Sequence, residues 1–199
     1  MADRPLRADA QRNRDKVLRA AQDAFAASGY GVPLDEIAAM AGVGPGTVYR
    51  HFPSKEELFE AVVTARLGDL IAVARGLASD PDPGQAFFGF LGRFRQEAAA
   101  KRDLPDAIAI PGSLQDELHA ALDVLLRRAQ HAGAVRADVT TQDLTALLKG
   151  LLRTINDLPP GTGDQGRTDR LLTVVTDGLR PRDDQTSGGA RAQARPRSE

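Results

Sequence analysis

Among the nine residues from Thr47 to Lys55, the side chains of Thr47, Tyr49, Arg50, His51 and Lys55 bring together hydroxyl, guanidinium, imidazole and ammonium groups. Such a set supplies hydrogen-bond donors and positive charge, which suits it to phosphate oxygens and the acceptor edges of bases. Covalent chemistry finds no comparable constellation. Cysteine is absent, which excludes disulfides, thiolate metal sites and a cysteine nucleophile. His51, His119 and His131 never fall at the i, i+4 spacing that sets two imidazoles on one helical face, so no metal site is expected. The three read as solvated or hydrogen-bonded side chains. No phosphate-cradling loop or nucleophile–base pair occurs at a recognisable spacing, so the chain is expected not to be an enzyme, with no catalytic residue and no cofactor.

Donors of this kind act only if an element holds them outward. Apolar residues recur at helical spacing and no stretch alternates with period two between hairpin turns, so the chain is expected to be all-α. A first helix over about residues 10–28 places Val17, Leu18, Ala21, Ala24 and Phe25 on one face and stops at Gly29, whose missing Cβ suits a left-handed cap. Two short helices follow, Leu34 to Ala41 ending at Gly42, and Pro45 to His51 opening on a proline in its first turn. Ser54-Lys55-Glu56-Glu57 is a capping box that starts a long helix, broken by Asp80-Pro81-Asp82-Pro83-Gly84. Two short helices joined by a glycine turn and braced by a longer first helix are the skeleton of a helix-turn-helix. Within it Ile37, Ala38, Ala41, Val43 and Val48 are expected to pack the short helices together, with Ala38 and Gly42 small because the crossing is tight.

The stretch from Leu34 to Leu58 resembles the TetR/AcrR family of bacterial repressors. The motifs that carry the resemblance are Ala41-Gly42-Val43, Gly46-Thr47-Val48-Tyr49-Arg50-His51-Phe52 and Ser54-Lys55-Glu56-Glu57-Leu58. The resemblance implies a ligand-responsive transcriptional regulator, most often a repressor, whose partner is double-stranded operator DNA. It implies that Thr47 and Tyr49 contact the DNA backbone and that Lys55 pins a phosphate. Pro45, Gly46 and Arg50 are candidates for base or near-base contacts, and Tyr49 and His51 have packing beneath the recognition helix as a second reading. Pro33 stands where many members have a capping threonine, and Gly44-Pro45 where serine-lysine is frequent, so two phosphate contacts are in doubt. Six basic against three acidic side chains in residues 1–19 fit either a solvated terminus or an arm in which Arg4, Arg7, Arg12 and Arg14 reach DNA.

The resemblance is strong over roughly residues 10–65 and thin beyond, so the remainder is read from pattern. Phe87, Phe90 and Phe94 form one stripe, a broken stretch from Asp103 to Gly112 holds Ile108, and Leu118, Leu122 and Leu125 form the next helix. By family resemblance these residues line a pocket for a small, hydrophobic effector; filling an ordinary core is an equally good account of each. The densest apolar faces are Leu144, Leu147, Leu148, Leu151, Leu152 and Ile155, then Leu171, Leu172, Val175 and Leu179. The family implies that they build a homodimer, the alternative being that they only complete the core of a single chain. The expected organisation is a flexible basic arm (1–9), a three-helix DNA-binding domain (10–56), a helical ligand-binding and dimerisation domain (57–180) and a disordered tail (181–199). No apolar run suffices for a membrane span and the first fifteen residues lack a secretory signal's apolar stretch, so a cytoplasmic protein is expected. Two rivals on the same helices are an adaptor that binds protein instead of DNA, and an activator.

Overall fold

The computed structural model describes residues 3–99, 111–156 and 164–181. Among these residues eight helices and no strand occur: α1 (Asp3–Ser28), α2 (Leu34–Ala41), α3 (Pro45–His51), α4 (Lys55–Leu77), α5 (Pro83–Ala99), α6 (Gly112–His131), α7 (Thr141–Asn156) and α8 (Asp164–Gly178). The punctuation read from sequence is where the helices stop. Gly29 follows α1 at φ 71°, Gly42 follows α2 at φ 65°, and Pro45 opens α3 after an extended Gly44.

The first helix departs from expectation. It begins at Asp3, so the segment 3–9 assigned to a flexible arm is helical. Pro5 falls in the first turn, where no intrahelical acceptor requires its missing N–H. Beyond it an Asp9–Arg12 ion pair and a bond from Gln11 Nε2 to Asp15 Oδ1 (2.8 Å) link successive turns. Ile108 and most of the tail from residue 182 lie outside the described residues, as does the side chain of Ile155.

The helices build two cores. One gathers Val17, Ala21, Ala24 and Phe25 of α1, Ile37 and Ala38 of α2, Val48 of α3, Phe52, and Leu58, Phe59, Val62 and Val63 of α4. The other gathers Leu70, Ile71 and Ala74 of α4 with the inner faces of α5 to α8. The two cores therefore meet inside α4, between Val63 and Leu70. Magnitude decides the point. Burying a side chain such as Leu58 or Phe59 stabilises by roughly 1.5–3 kcal/mol, and four of them amount to much of the stability of a small domain. The N-terminal unit cannot end before α4 has contributed these residues.

Polar contacts fasten α4 at its middle and at its C-terminal end. Arg66 Nη2 donates to the Gln22 carbonyl of α1 at 2.7 Å. At the C-terminal end Arg128 of α6 donates to the Ala78 carbonyl and to the Asp80 carbonyl (2.7 Å), and Arg75 pairs with Glu117 of α6 at 2.8 Å. The two Arg128 bonds satisfy backbone carbonyls just past the end of α4, where helical partners are lacking. Helix α4 is thus one element shared by the two cores.

Candidate nucleic-acid interface

Helix α2 starts after Pro33, which offers no side-chain cap, but Asp35 and Glu36 in its first turn complement the positive end of the helix dipole. It ends in a Schellman motif: Gly42 N–H bonds to the Ala39 carbonyl and Val43 N–H to the Ala38 carbonyl, each at 3.1 Å. The left-handed φ at Gly42 is the reason for glycine there. A Cβ added at Gly42 would meet nothing within 4 Å. Tight crossing, expected from sequence to explain this residue, is therefore not its cause; it does fit Ala38, which is 1% exposed.

The turn delivers α3 with a clear division between inner and outer faces. Val48 is buried against α1 and α2, and Phe52 behind α3 is buried as well, with the Arg14 guanidinium 5.0 Å from its ring centroid. Pro45, Gly46 and Arg50 are exposed and Tyr49 is 50% exposed, while Thr47 and His51 are half-buried. The packing role weighed for Tyr49 is taken instead by Phe52. Arg14 and Arg12, considered as phosphate-reaching arm residues, are engaged with Phe52 and Asp9 within the chain.

At the start of α4, Ser54 Oγ accepts from Glu57 N–H at 3.1 Å, the serine half of the expected capping box. Lys55, the first residue of this helix, holds its ammonium 4.6 Å from the centroid of the Tyr30 ring. Tyr30 in turn donates its hydroxyl to Glu56 Oε1 at 2.7 Å and packs edge-on against Phe59, whose ring also meets Phe25. Burial, reinforced by the bond to Glu56 and its charge, pushes the Tyr30 phenol up to about 12. The same hydrogen bond, first among several causes, holds the Glu56 carboxyl below its ordinary value. Tyr30 and its bond to Glu56 escaped the sequence reading because Tyr30 sits between helices, outside any periodic stripe. The surface so assembled presents hydroxyl, guanidinium and ammonium groups along one short helix and the following helix start, and it can bind polyanion by hydrogen bonds and charge.

In the C-terminal half, Phe87, Phe90, Phe94, Leu122 and Leu125 are buried together in the core, with Leu118 packed at its margin. They form one contiguous apolar cluster. The residues expected at a dimer interface divide into two groups. Leu144, Leu148, Leu151, Leu172 and Leu179 are buried within their own chain. These five residues seal the core over α5 and α6. Leu152, Leu171 and Val175 are half-buried, whereas Leu147 is 48% and Val174, which the sequence reading missed, 70% exposed. Among the described residues no cluster of histidine and carboxylate side chains could hold a metal, and no helix is long and apolar enough to cross a membrane.

An outward-facing short helix set by a Schellman turn, with a lysine-bearing helix start beside it, defines a helix-turn-helix DNA-binding protein. Comparison with known proteins agrees over both halves. Residues 17–62 match the family model of bacterial regulatory proteins of the tetR family, and residues 82–181 match that of the SbtR-like transcriptional regulator C-terminal domain. A crystal structure of the TetR transcription regulatory protein from Mycobacterium vanbaalenii is 42% identical, covering 89% of this chain and all of that one, with a TM-score of 0.65. A TetR transcriptional regulator from Streptomyces coelicolor is 34% identical over 84% of this chain and 98% of its own, with a TM-score of 0.66. The HTH-type transcriptional repressor AcnR of Corynebacterium efficiens is 28% identical, covering 85% of this chain and 94% of its own length. The chain belongs to the TetR family of transcriptional regulators, which bind DNA and are not enzymes.

Proposed function

We propose that this chain is a cytoplasmic, homodimeric repressor that holds a near-palindromic operator and is released by a small hydrophobic molecule. The observation that carries the reading is the division of α3: Val48 anchors it while Tyr49 and Arg50 face solvent beside the start of α4. In this account Thr47, Tyr49 and Lys55 contact phosphates, His51 supports them from its half-buried position, and Pro45, Gly46 and Arg50 approach the bases. A second copy docks on the outer faces of α7 and α8, covering Leu147 and Val174, and sets two copies of α3 at multiples of about 34 Å. Repression in place of activation is favoured by the likeness to the repressor AcnR.

The effector enters among Phe87, Phe90, Phe94, Leu118, Leu122 and Leu125, aromatic and aliphatic groups that select for apolar chemistry. Its energy reaches DNA through α4, which contributes to both cores and is bonded to α1 from its middle and to α6 near its C-terminal end. The effector shifts the dimer only by the difference in its affinity for the DNA-competent and DNA-incompetent spacings.

Selection of bound fragments from random duplexes, repeated with a panel of apolar and polar compounds, tests the reading. A palindrome is expected to be enriched, and one apolar compound to abolish enrichment. Recovery of no sequence, or of one that persists against every compound, contradicts the operator or the effector part respectively.

A further inference from the structure

We infer that Tyr30 is a positioning residue for DNA binding: its ring fixes the Lys55 ammonium at the start of α4, and its bond to Glu56 fixes the ring. The inference rests on the proposed phosphate contact of Lys55 and assigns what makes that contact productive.

A lysine in the first turn of a helix is poorly placed on its own. Its charge meets the positive end of the helix dipole, and its long side chain has much rotamer freedom to lose when it grips a phosphate. The neighbourhood of Lys55 answers both problems. Its ammonium lies 4.6 Å from the Tyr30 ring centroid, within the range of cation–π attraction. The ring cannot swing away, because its hydroxyl is bonded to Glu56 Oε1 at 2.7 Å and its edge is set against Phe59 (centroids 5.3 Å apart) and its face toward Phe25 (6.0 Å). Phe25 and Phe59 are buried in the N-terminal core, so the clamp is referenced to the same core that carries α3. A ring face occupies one side of an ammonium and leaves its other N–H donors for phosphate oxygens. Glu56, one residue into the helix, adds negative charge where the dipole favours it.

A purely structural role for Tyr30 would weaken DNA binding whatever stood at 55, whereas positioning acts only through Lys55. The test is a double-mutant cycle on the full chain, Tyr30→Leu, Lys55→Ala and both together, read as affinity and salt slope on an arbitrary duplex of about 30 base pairs at low salt and on the enriched duplex. Lys55→Ala is expected to lower the salt slope by about one. Tyr30→Leu is expected to weaken binding roughly three- to tenfold when Lys55 is present and to add almost nothing in the Lys55→Ala background. Additive losses overturn the inference while leaving the phosphate contact standing; a Lys55→Ala variant that binds like the parent overturns both. Because Tyr30→Leu disturbs an aromatic cluster, a second measurement uses the parent and Tyr30→Phe, which keeps the ring. The Lys55 ε-methylene protons are expected to show an upfield ring-current shift in both, and its absence from the parent overturns the inference.

Discussion

Arg50 and Lys55 carry positive charge to the same surface but are asked to do different work. A guanidinium on the exposed face of α3 is suited to the acceptor edge of a guanine. Arg50→Ala is expected to cost about 1–3 kcal/mol of operator affinity and to relax preference at one base position. In the proposed function Lys55 meets phosphate whatever the sequence, so Lys55→Ala is expected to weaken all duplexes alike. Comparing enriched pools for the two variants checks this, and equal loss across all sequences from both would contradict the division of roles. A second residue-scale prediction concerns acid. The bond from Thr141 Oγ1 (2.7 Å), ahead of the Arg127 contact, holds the Asp123 carboxyl below its ordinary value, and bonds from Thr140 do the same for Asp143. A carboxyl whose folded-state value is depressed contributes stability above its unfolded value and loses it as pH falls through the folded one. Thermal melts are expected to fall between about pH 5 and pH 2, and less steeply in the double variant Asp123→Asn, Asp143→Asn.

At the scale of elements, two glycines of the helix-turn-helix are required for opposite reasons. Gly42 has φ +65°, so Gly42→Ala is expected to destabilise by about 1–2 kcal/mol through left-handed strain. Gly46 has an ordinary φ and a Cβ there would meet nothing within 4 Å, so the fold does not demand glycine. Gly46→Ala is expected to keep the parent melting temperature, or to raise it slightly through better helix propensity, and to lose DNA affinity by blocking close approach of the backbone. Melting and binding measured on the same two proteins check both statements. Why the helix-turn-helix was legible follows from these residues: Gly42, Pro45 and Ser54 act through backbone constraints that need no distant partner. What stayed hidden depended on distant partners. The aromatic clamp on Lys55 joins residues 25, 30 and 59, and nothing local at Tyr30 announces it. Likewise the stripe on α7 states that leucines are buried but not by what, and Leu144, Leu148 and Leu151 turned out to serve their own chain.

For the whole molecule, two cores share one helix, and outer apolar side chains remain on α7 and α8. Val174 is the most informative of these, since at 70% exposure it contributes little to the core of a single chain. Val174→Glu is expected to leave the helical signal and melting of the subunit intact while shifting sedimentation from dimer to monomer and weakening operator binding. Leu144→Ala, which empties a buried position on the neighbouring helix α7, is expected instead to cost about 2–5 kcal/mol of stability. The measurement that bears most directly on the central claim, that two symmetric copies of α3 with Lys55 enter DNA together, is a footprint of the purified protein on the enriched duplex. Two equivalent protected half-sites, their centres separated by whole turns of about 34 Å and both lost in Val174→Glu, are predicted. Protection of one isolated half-site by the parent, or a footprint unchanged in Lys55→Ala and Arg50→Ala, would contradict it.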